Sequence, residues 1–133
     1  MQQQTERLAY VSLDGEISFS AEPGEVLPPA SVVAFDDPFY QATSDDPDDF
    51  GYEEPRLGTV NGSGISDHAQ GASWTVVFRF EDGSTFTAIG LLPVAKGRPG
   101  AGTLTIVGGT GRFRDLRGEL KAAVQNPHRW TVN

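Results

Sequence analysis

The chain contains no cysteine. Disulfides, thiolate metal sites and a cysteine nucleophile are therefore excluded. Histidine is almost as scarce, with only His68 and His128 present. No Ser-His-Asp arrangement is visible, so nothing points to nucleophilic or metal-assisted hydrolysis. Each histidine, near a strand end, reads first as a surface or hydrogen-bonding residue and second as a base. No apolar run approaches the ~20 residues that a membrane helix needs. The N-terminal stretch MQQQTERLAYV has no basic segment followed by an apolar one, so a cytoplasmic protein without a secretion signal is expected. Basic residues are also outnumbered: 10 Lys and Arg stand against 18 Asp and Glu, a net charge of −8. A field of that sign repels phosphate, which makes nucleic acid and anionic membrane poor partners and favours solubility.

What is present reads as one all-β domain spanning residues 1–133. The length fits a single core, and 38% hydrophobic residues are too many for disorder. Sixteen glycines and nine prolines break the chain into short pieces. Extended segments are expected over Leu8–Ser20 (interrupted at Asp14-Gly15), Ser31–Phe35, Arg56–His68, Trp74–Phe80, Ser84–Leu92, Thr103–Val107, Gly118–Gln125 and His128–Val132. The fourth is the clearest, with Trp74, Val76, Phe78 and Phe80 on one face and Thr75, Val77 and Arg79 on the other. Glu81-Asp82-Gly83 then signals a hairpin. Short connections make sequential strands antiparallel neighbours, so the expected fold is an eight-stranded antiparallel up-and-down β-barrel. Gly58, Gly62 and Gly64 share one strand face, as sharp curvature or a close neighbour requires.

Residues 36–54 hold eight of the 18 acids. The acidic loop, placed at 41–55, reads as a solvated, self-repelling segment. A calcium site is the sharper alternative, but the D-x-D-x-D-G spacing that wraps oxygen ligands around the ion is missing, and no metal is expected. The turn Val107-Gly-Gly-Thr-Gly-Arg-Phe113 lacks the Lys-Ser/Thr of a P-loop and has no helix after it. It reads as a sharp reversal with Phe113 plugging one barrel end.

The segment Ile106-Val-Gly-Gly-Thr-Gly-Arg-Phe-Arg-Asp-Leu-Arg-Gly118 resembles the signature shared by plant dirigent proteins and allene oxide cyclases. Asp82-Gly-Ser-Thr-Phe-Thr-Ala-Ile-Gly90, Arg56-Leu-Gly-Thr-Val-Asn-Gly62 and Phe35-Asp-Asp-Pro-Phe-Tyr40 are similar to other pieces of that family, in the right order. The resemblance covers residues 31–126. It implies a calycin-like barrel, often trimeric, whose pocket guides a reactive small molecule. Small bacterial barrels of this type include spirotetronate-forming cyclases, which catalyse an intramolecular [4+2] cycloaddition. The resemblance therefore implies a cofactor-independent cyclase or isomerase acting on a small apolar, polyketide-like intermediate. A non-catalytic binding or dirigent-like barrel is the alternative, and a homo-oligomer, dimer or trimer, is expected in either case.

The resemblance also places the site. Ser12 and Asp14 stand where the allene oxide cyclase first strand carries a glutamate and an asparagine. Asp37 stands at a polar pocket position, and Trp74 and Phe78 match pocket walls. Tyr10, Ser12 and Asp37 are thus the candidate catalytic groups, able to polarise a carbonyl. Trp74, Val76, Phe78, Phe80, Phe35 and Asp14 are the candidate substrate contacts. Three readings stay open. The aromatic stripe serves equally well as ordinary core. Strand 1 has a better apolar face in Ala9, Val11 and Leu13, which would turn Tyr10 and Ser12 outward. Asp36 and Asp37 are also natural turn residues before Pro38.

Overall fold

The computed structural model describes residues 8–19, 29–67, 71–125 and 127–133. The expected strand limits at Ser20 and His68 fall outside them. Among the described residues ten strands run in order: β1 (Ala9–Ser12), β2 (Glu16–Phe19), β3 (Val32–Ala42), β4 (Tyr52–Ser66), β5 (Gly71–Phe80), β6 (Thr85–Ala95), β7 (Arg98–Pro99), β8 (Gly102–Thr110), β9 (Gly118–Val124) and β10 (His128–Val132). Neighbours pair antiparallel in the order β1-β10-β9-β8-β6-β5-β4-β3-β2, and β1 also pairs with β3. That last pairing closes the sheet. β1 and β2 both lie along β3 and form one strand broken at residues 13–15, while β7 is a two-residue strand that pairs only with the end of β6. The result is a closed eight-stranded antiparallel barrel. Closure pairs β1 along both of its edges, which is how a barrel removes the edges of an open sheet. Among the described residues, no helix is long and apolar enough to cross a membrane.

Alternation sets the interior. Trp74, Val76, Phe78 and Phe80 of β5 are all buried, as the period of two requires. On β4, Gly58, Val60, Gly62 and Gly64 point the same way. A Cβ at Gly64 would sit 2.8 Å from the Trp74 indole, so that glycine is what admits the ring. The hairpin at Asp82-Gly83 is also present, with Gly83 at φ +91.

Three segments differ from the sequence reading. First, β3 does not stop at Asp36-Asp37-Pro38 but runs through it to Ala42. Pro38 lies opposite the break between β1 and β2, and its carbonyl accepts from the Leu13 amide at 3.0 Å. Its missing N–H falls where the ladder is already interrupted, the position at which a strand tolerates proline. Second, the acidic loop is 43–51 rather than 41–55, because β3 runs to Ala42 and β4 begins at Tyr52, with Gln41 opposite Glu53 and Ala42 opposite Tyr52. Third, the stretch between the expected strands Ser84–Leu92 and Thr103–Val107 is not all connection: β6 runs on to Ala95, and Val94 and Ala95 pair with Pro99 and Arg98 of β7.

Strand 1 has two buried faces. Tyr10 and Ser12 point inward, while Ala9 and Val11 are buried outside the barrel. The cause is Arg129, which sits opposite Val11. Its Nη1 donates to the Asp49 carbonyl at 2.8 Å and its Nη2 to that of Ser44 at 3.1 Å. Arg129 thereby ties the acidic loop to the barrel wall. Within the loop, Asp49 accepts from the hydroxyls of Ser44 and Thr43, both at 2.6 Å, and from the Gly51 amide at 2.8 Å. These donors, Ser44 first, pull its carboxyl down to about 2.

One barrel end is plugged. Tyr10, Phe39, Phe78, Phe80, Phe86 and Phe113 interlock there, with Phe78 stacked on Phe86 at 4.7 Å and Phe113 tilted on Phe80 at 4.7 Å. A 3-10 turn (Gly111–Phe113) brings Phe113 inward. Gly111 makes that turn at φ +61 against the Ser84 side chain. Arg112 lies 4.8 and 4.5 Å over the rings of Phe80 and Phe113 and bonds Asp82 at 2.8 Å. The Gly-rich turn is thus the closed corner.

Candidate functional site

The opposite end carries the buried charge. Lys96 and Gly97 both have positive φ, 52 and 87. That pairing is the primed two-residue hairpin turn between β6 and β7, and it turns the chain so that Arg98 points back into the barrel. Arg98 and Asp37 are 2% and 1% exposed, and they meet as a fork. Nε donates to Oδ2 at 2.6 Å and Nη2 to Oδ1 at 2.8 Å. The Gly15 amide donates to Oδ1 as well, at 2.7 Å. A Cβ at Gly15 would run into the Asp36 carbonyl, so glycine is what lets this amide reach Asp37. Asp14, half exposed, lies 3.6 Å from the Arg98 Nε. The hydrogen bonds that Arg98 donates to Asp37 raise its pKa, burial opposes them, and the charges of Asp37 and Asp14 add to the rise.

His128 opens β10 beside this pair. Its Nε2 lies 2.8 Å from the Pro99 carbonyl, and its ring stacks on Trp130 with centroids 5.6 Å apart. A carbonyl only accepts, so Nε2 carries the proton and a neutral ring has its lone pair on Nδ1. Burial is the main cause lowering the His128 pKa, and the Arg98 charge adds to it. The Pro99 bond and the two aspartates act the other way.

A cavity of about 170 Å³ opens here, lined by Asp14, Ala95, Lys96, Arg98, Val124, Gln125 and His128. Apolar cavities of ~150 Å³ hold one benzene-sized ring, well below the ~300–1,000 Å³ of sites that enclose a whole drug-sized ligand. This mouth therefore has room for one ring or the head of a longer molecule. Its walls offer two cations, one anion, an amide and an imidazole around an apolar floor.

The structure brings some candidates together and separates others. Asp14 borders the cavity, and Asp37 stands directly behind Arg98. Both Asp37 oxygens are occupied, so its evident task is to hold Arg98 and the turn at Gly15. Ser12 is buried and accepts from the Trp130 Nε1 at 2.9 Å. Tyr10 lies in the aromatic plug, where its ring meets Phe39, Phe78 and Phe80. Val76, Phe78 and Phe80 belong to the same packed interior, and Phe35 packs edge-on to Trp74 at 6.1 Å. The Trp74 Nε1 donates to the Leu92 carbonyl at 3.1 Å. Sequence reasoning did not find Arg98, Lys96 or Gln125 and ranked His128 low. The one available signal was a cation inside a Gly-Arg-Pro turn; its partner lies 61 positions away.

No family model and no curated protein matches the chain. Solved structures do. A pyocyanin demethylase superposes with a TM-score of 0.69 at 14% identity, covering 96% of this chain and 98% of its own. A pterocarpan synthase dirigent protein superposes with a TM-score of 0.64 at 24% identity, covering 93% of this chain and 81% of its own. The chain therefore has the barrel fold that these two proteins share.

Proposed function

We propose that this barrel is a cofactor-independent cyclase or isomerase for a small apolar, polyketide-like molecule, and that it works at the open mouth. The observation that carries this reading is the buried Asp37–Arg98 fork beside His128, on the wall of an apolar cavity. A buried ion pair is weak evidence for stability, since an apolar pair of the same volume often does as well. Its presence beside a cavity fits a site that must orient a polar group. The two structural neighbours are named for a demethylase and a pterocarpan synthase, so proteins of this fold carry out small-molecule chemistry.

The reaction asks little of side chains. Holding the reacting carbons of a flexible polyene at ~3–3.5 Å prepays ordering, which removes up to ~7–11 kcal/mol of barrier in good cases. Ala95 and Val124 seat one end of the molecule, and Arg98 and Lys96 polarise its carbonyl. Purified protein is incubated with a linear polyene ketone, and products are separated by chiral chromatography while binding is followed by calorimetry. Faster, stereoselective ring formation supports the cyclase. Binding that leaves rate and stereochemistry unchanged supports the alternative, a dirigent-like binding barrel.

Self-association is also proposed, through the outer face of β3 to β6. Val32, Ile65, Ser73 and Leu91 lie in one register row there, and Leu91 is 71% exposed. Light scattering of Leu91→Lys, with a monomer expected, tests it.

A further inference from the structure

We infer that His128 is a proton-transfer base at the mouth, and that the molecule it serves carries a C–H made acidic by a neighbouring carbonyl. The inference rests on the mouth being the reaction site. It starts from the imidazole's two nitrogens. Nε2 is committed to the Pro99 carbonyl at 2.8 Å. Nδ1 has no hydrogen-bond partner among the described residues, and it is not among the sealed, unpartnered polar atoms of the interior. The ring lines the cavity. A tautomer fixed through Nε2, with the lone pair on the second nitrogen of a ring that lines an apolar cavity, is the arrangement a general base needs.

The surroundings supply the rest. Arg98, from β7, spends three of its five N–H donors on Asp37 and the Lys96 carbonyl, and two remain. Lys96, on the turn before it, adds a second cation to the same wall. Asp14 from the β1–β2 turn and Asp37 from β3 are the anions facing the ring, and Trp130 stacks on it. A carbonyl oxygen placed toward the cations gains negative charge as its α-carbon loses a proton. Nδ1 takes that proton, the C–H bond breaks, and its electron pair forms a C=C bond as the carbonyl pair moves onto oxygen. The imidazolium then returns the proton to the same carbon or to a conjugated one. No electron is gained or lost, no cofactor takes part, and the outcome is epimerisation or double-bond migration. An oxygen held by Lys96 and Arg98 is stabilised where the charge develops.

Cyclohexanone is a six-membered ring of suitable size and serves as the probe. The protein is placed in D2O with cyclohexanone, and loss of the α C–H signal is followed by NMR, with binding read separately by saturation transfer. The wild type is expected to exchange the α protons faster than the same concentration of free imidazole. His128→Gln, which retains a donor for the Pro99 carbonyl, is expected to lose about 100-fold. The wild-type rate is expected to persist through pH 6.5 and to fall only at lower pH, because burial lowers the His128 pKa from that ordinary value. Binding without exchange overturns the base and leaves the mouth as a binding site; absence of both overturns the mouth reading too. A His128→Gln rate equal to wild type also overturns the base. Independently of any variant, imidazole 15N shifts must show His128 protonated on Nε2, and an Nδ1–H tautomer refutes the assignment.

Discussion

The two ends of the barrel are built on opposite principles. At one end Phe39, Phe78, Phe80, Phe86 and Phe113 fill the lumen and Arg112 lies over the outermost rings. At the other, a buried ion pair, an imidazole and two exposed charges surround a cavity. Aromatic rings in edge and stacked contact gain from burial and from ring geometry together. Buried charges gain little net stability and exact a desolvation cost. The closed end thus holds the fold and leaves the open end room to be polar.

The largest expected effect comes from cutting the ion pair on one side only. Arg98→Met leaves Asp37 buried without its partner, which costs about 3–5 kcal/mol. Urea unfolding reads the loss. Asp37→Leu combined with Arg98→Met removes both charges and is expected to recover most of it, while cyclohexanone binding stays lost. If the double variant is as unstable as the single one, the pair is structural and the contrast between the ends fails. Phe113→Ala strikes the closed end. Removing a buried ring costs about 3 kcal/mol, the lower part of the usual range, because the site lies at the barrel rim. Binding per folded molecule is expected to remain at the wild-type level. A change in binding would show that the two ends are coupled through the core.

A smaller effect is expected at Arg112. Its guanidinium and the Asp82 carboxylate are 40% and 50% exposed, so solvent screens their attraction. Arg112→Met keeps the cover over Phe80 and Phe113 and gives up the charge, for a smaller loss than either substitution above. Thermal unfolding at low and high salt separates the two contributions: loss of the salt dependence identifies the ion pair.

Much of this plan was legible in the sequence, and the illegible part has a physical pattern. The alternation in Trp74–Phe80 marked an inward face, and the glycines at 58, 62 and 64 marked a wall closely approached by a neighbour. Both are local signals with a period of two. The hairpin at Asp82-Gly83 and the plugging role of Phe113 were readable for the same reason. Strand 1 was ambiguous because both its faces are buried, one by the core and one by the loop that Arg129 ties down. The resemblance put Asp37 at a pocket position and Pro38 after it left a turn open as the alternative; it lies inside β3, where the break between β1 and β2 makes the proline acceptable. The Asp37–Arg98 pair left no periodic trace, since each residue needs the folded barrel to find the other.

The finest distinction between the ends is drawn by pH. Burial keeps the folded pKa of His128 below its ordinary 6.5. As pH drops through 6.5 the unfolded chain takes up a proton that the folded chain resists, so stability declines with falling pH. At the closed end the Ser84 amide and then Arg112 pull Asp82 down to about 2 from 3.8. Its contribution is present above 3.8 and disappears as pH falls from there to about 2. Asp49, drawn down to about 2 by Ser44 and Thr43, adds to that lower limb from the side of the barrel. Urea midpoints measured across this range should therefore decline in two steps. His128→Gln is expected to flatten the upper step alone, and Arg112→Met to reduce the lower step alone. If either substitution alters both steps, the two ends do not titrate independently, and the division of labour drawn between them is wrong.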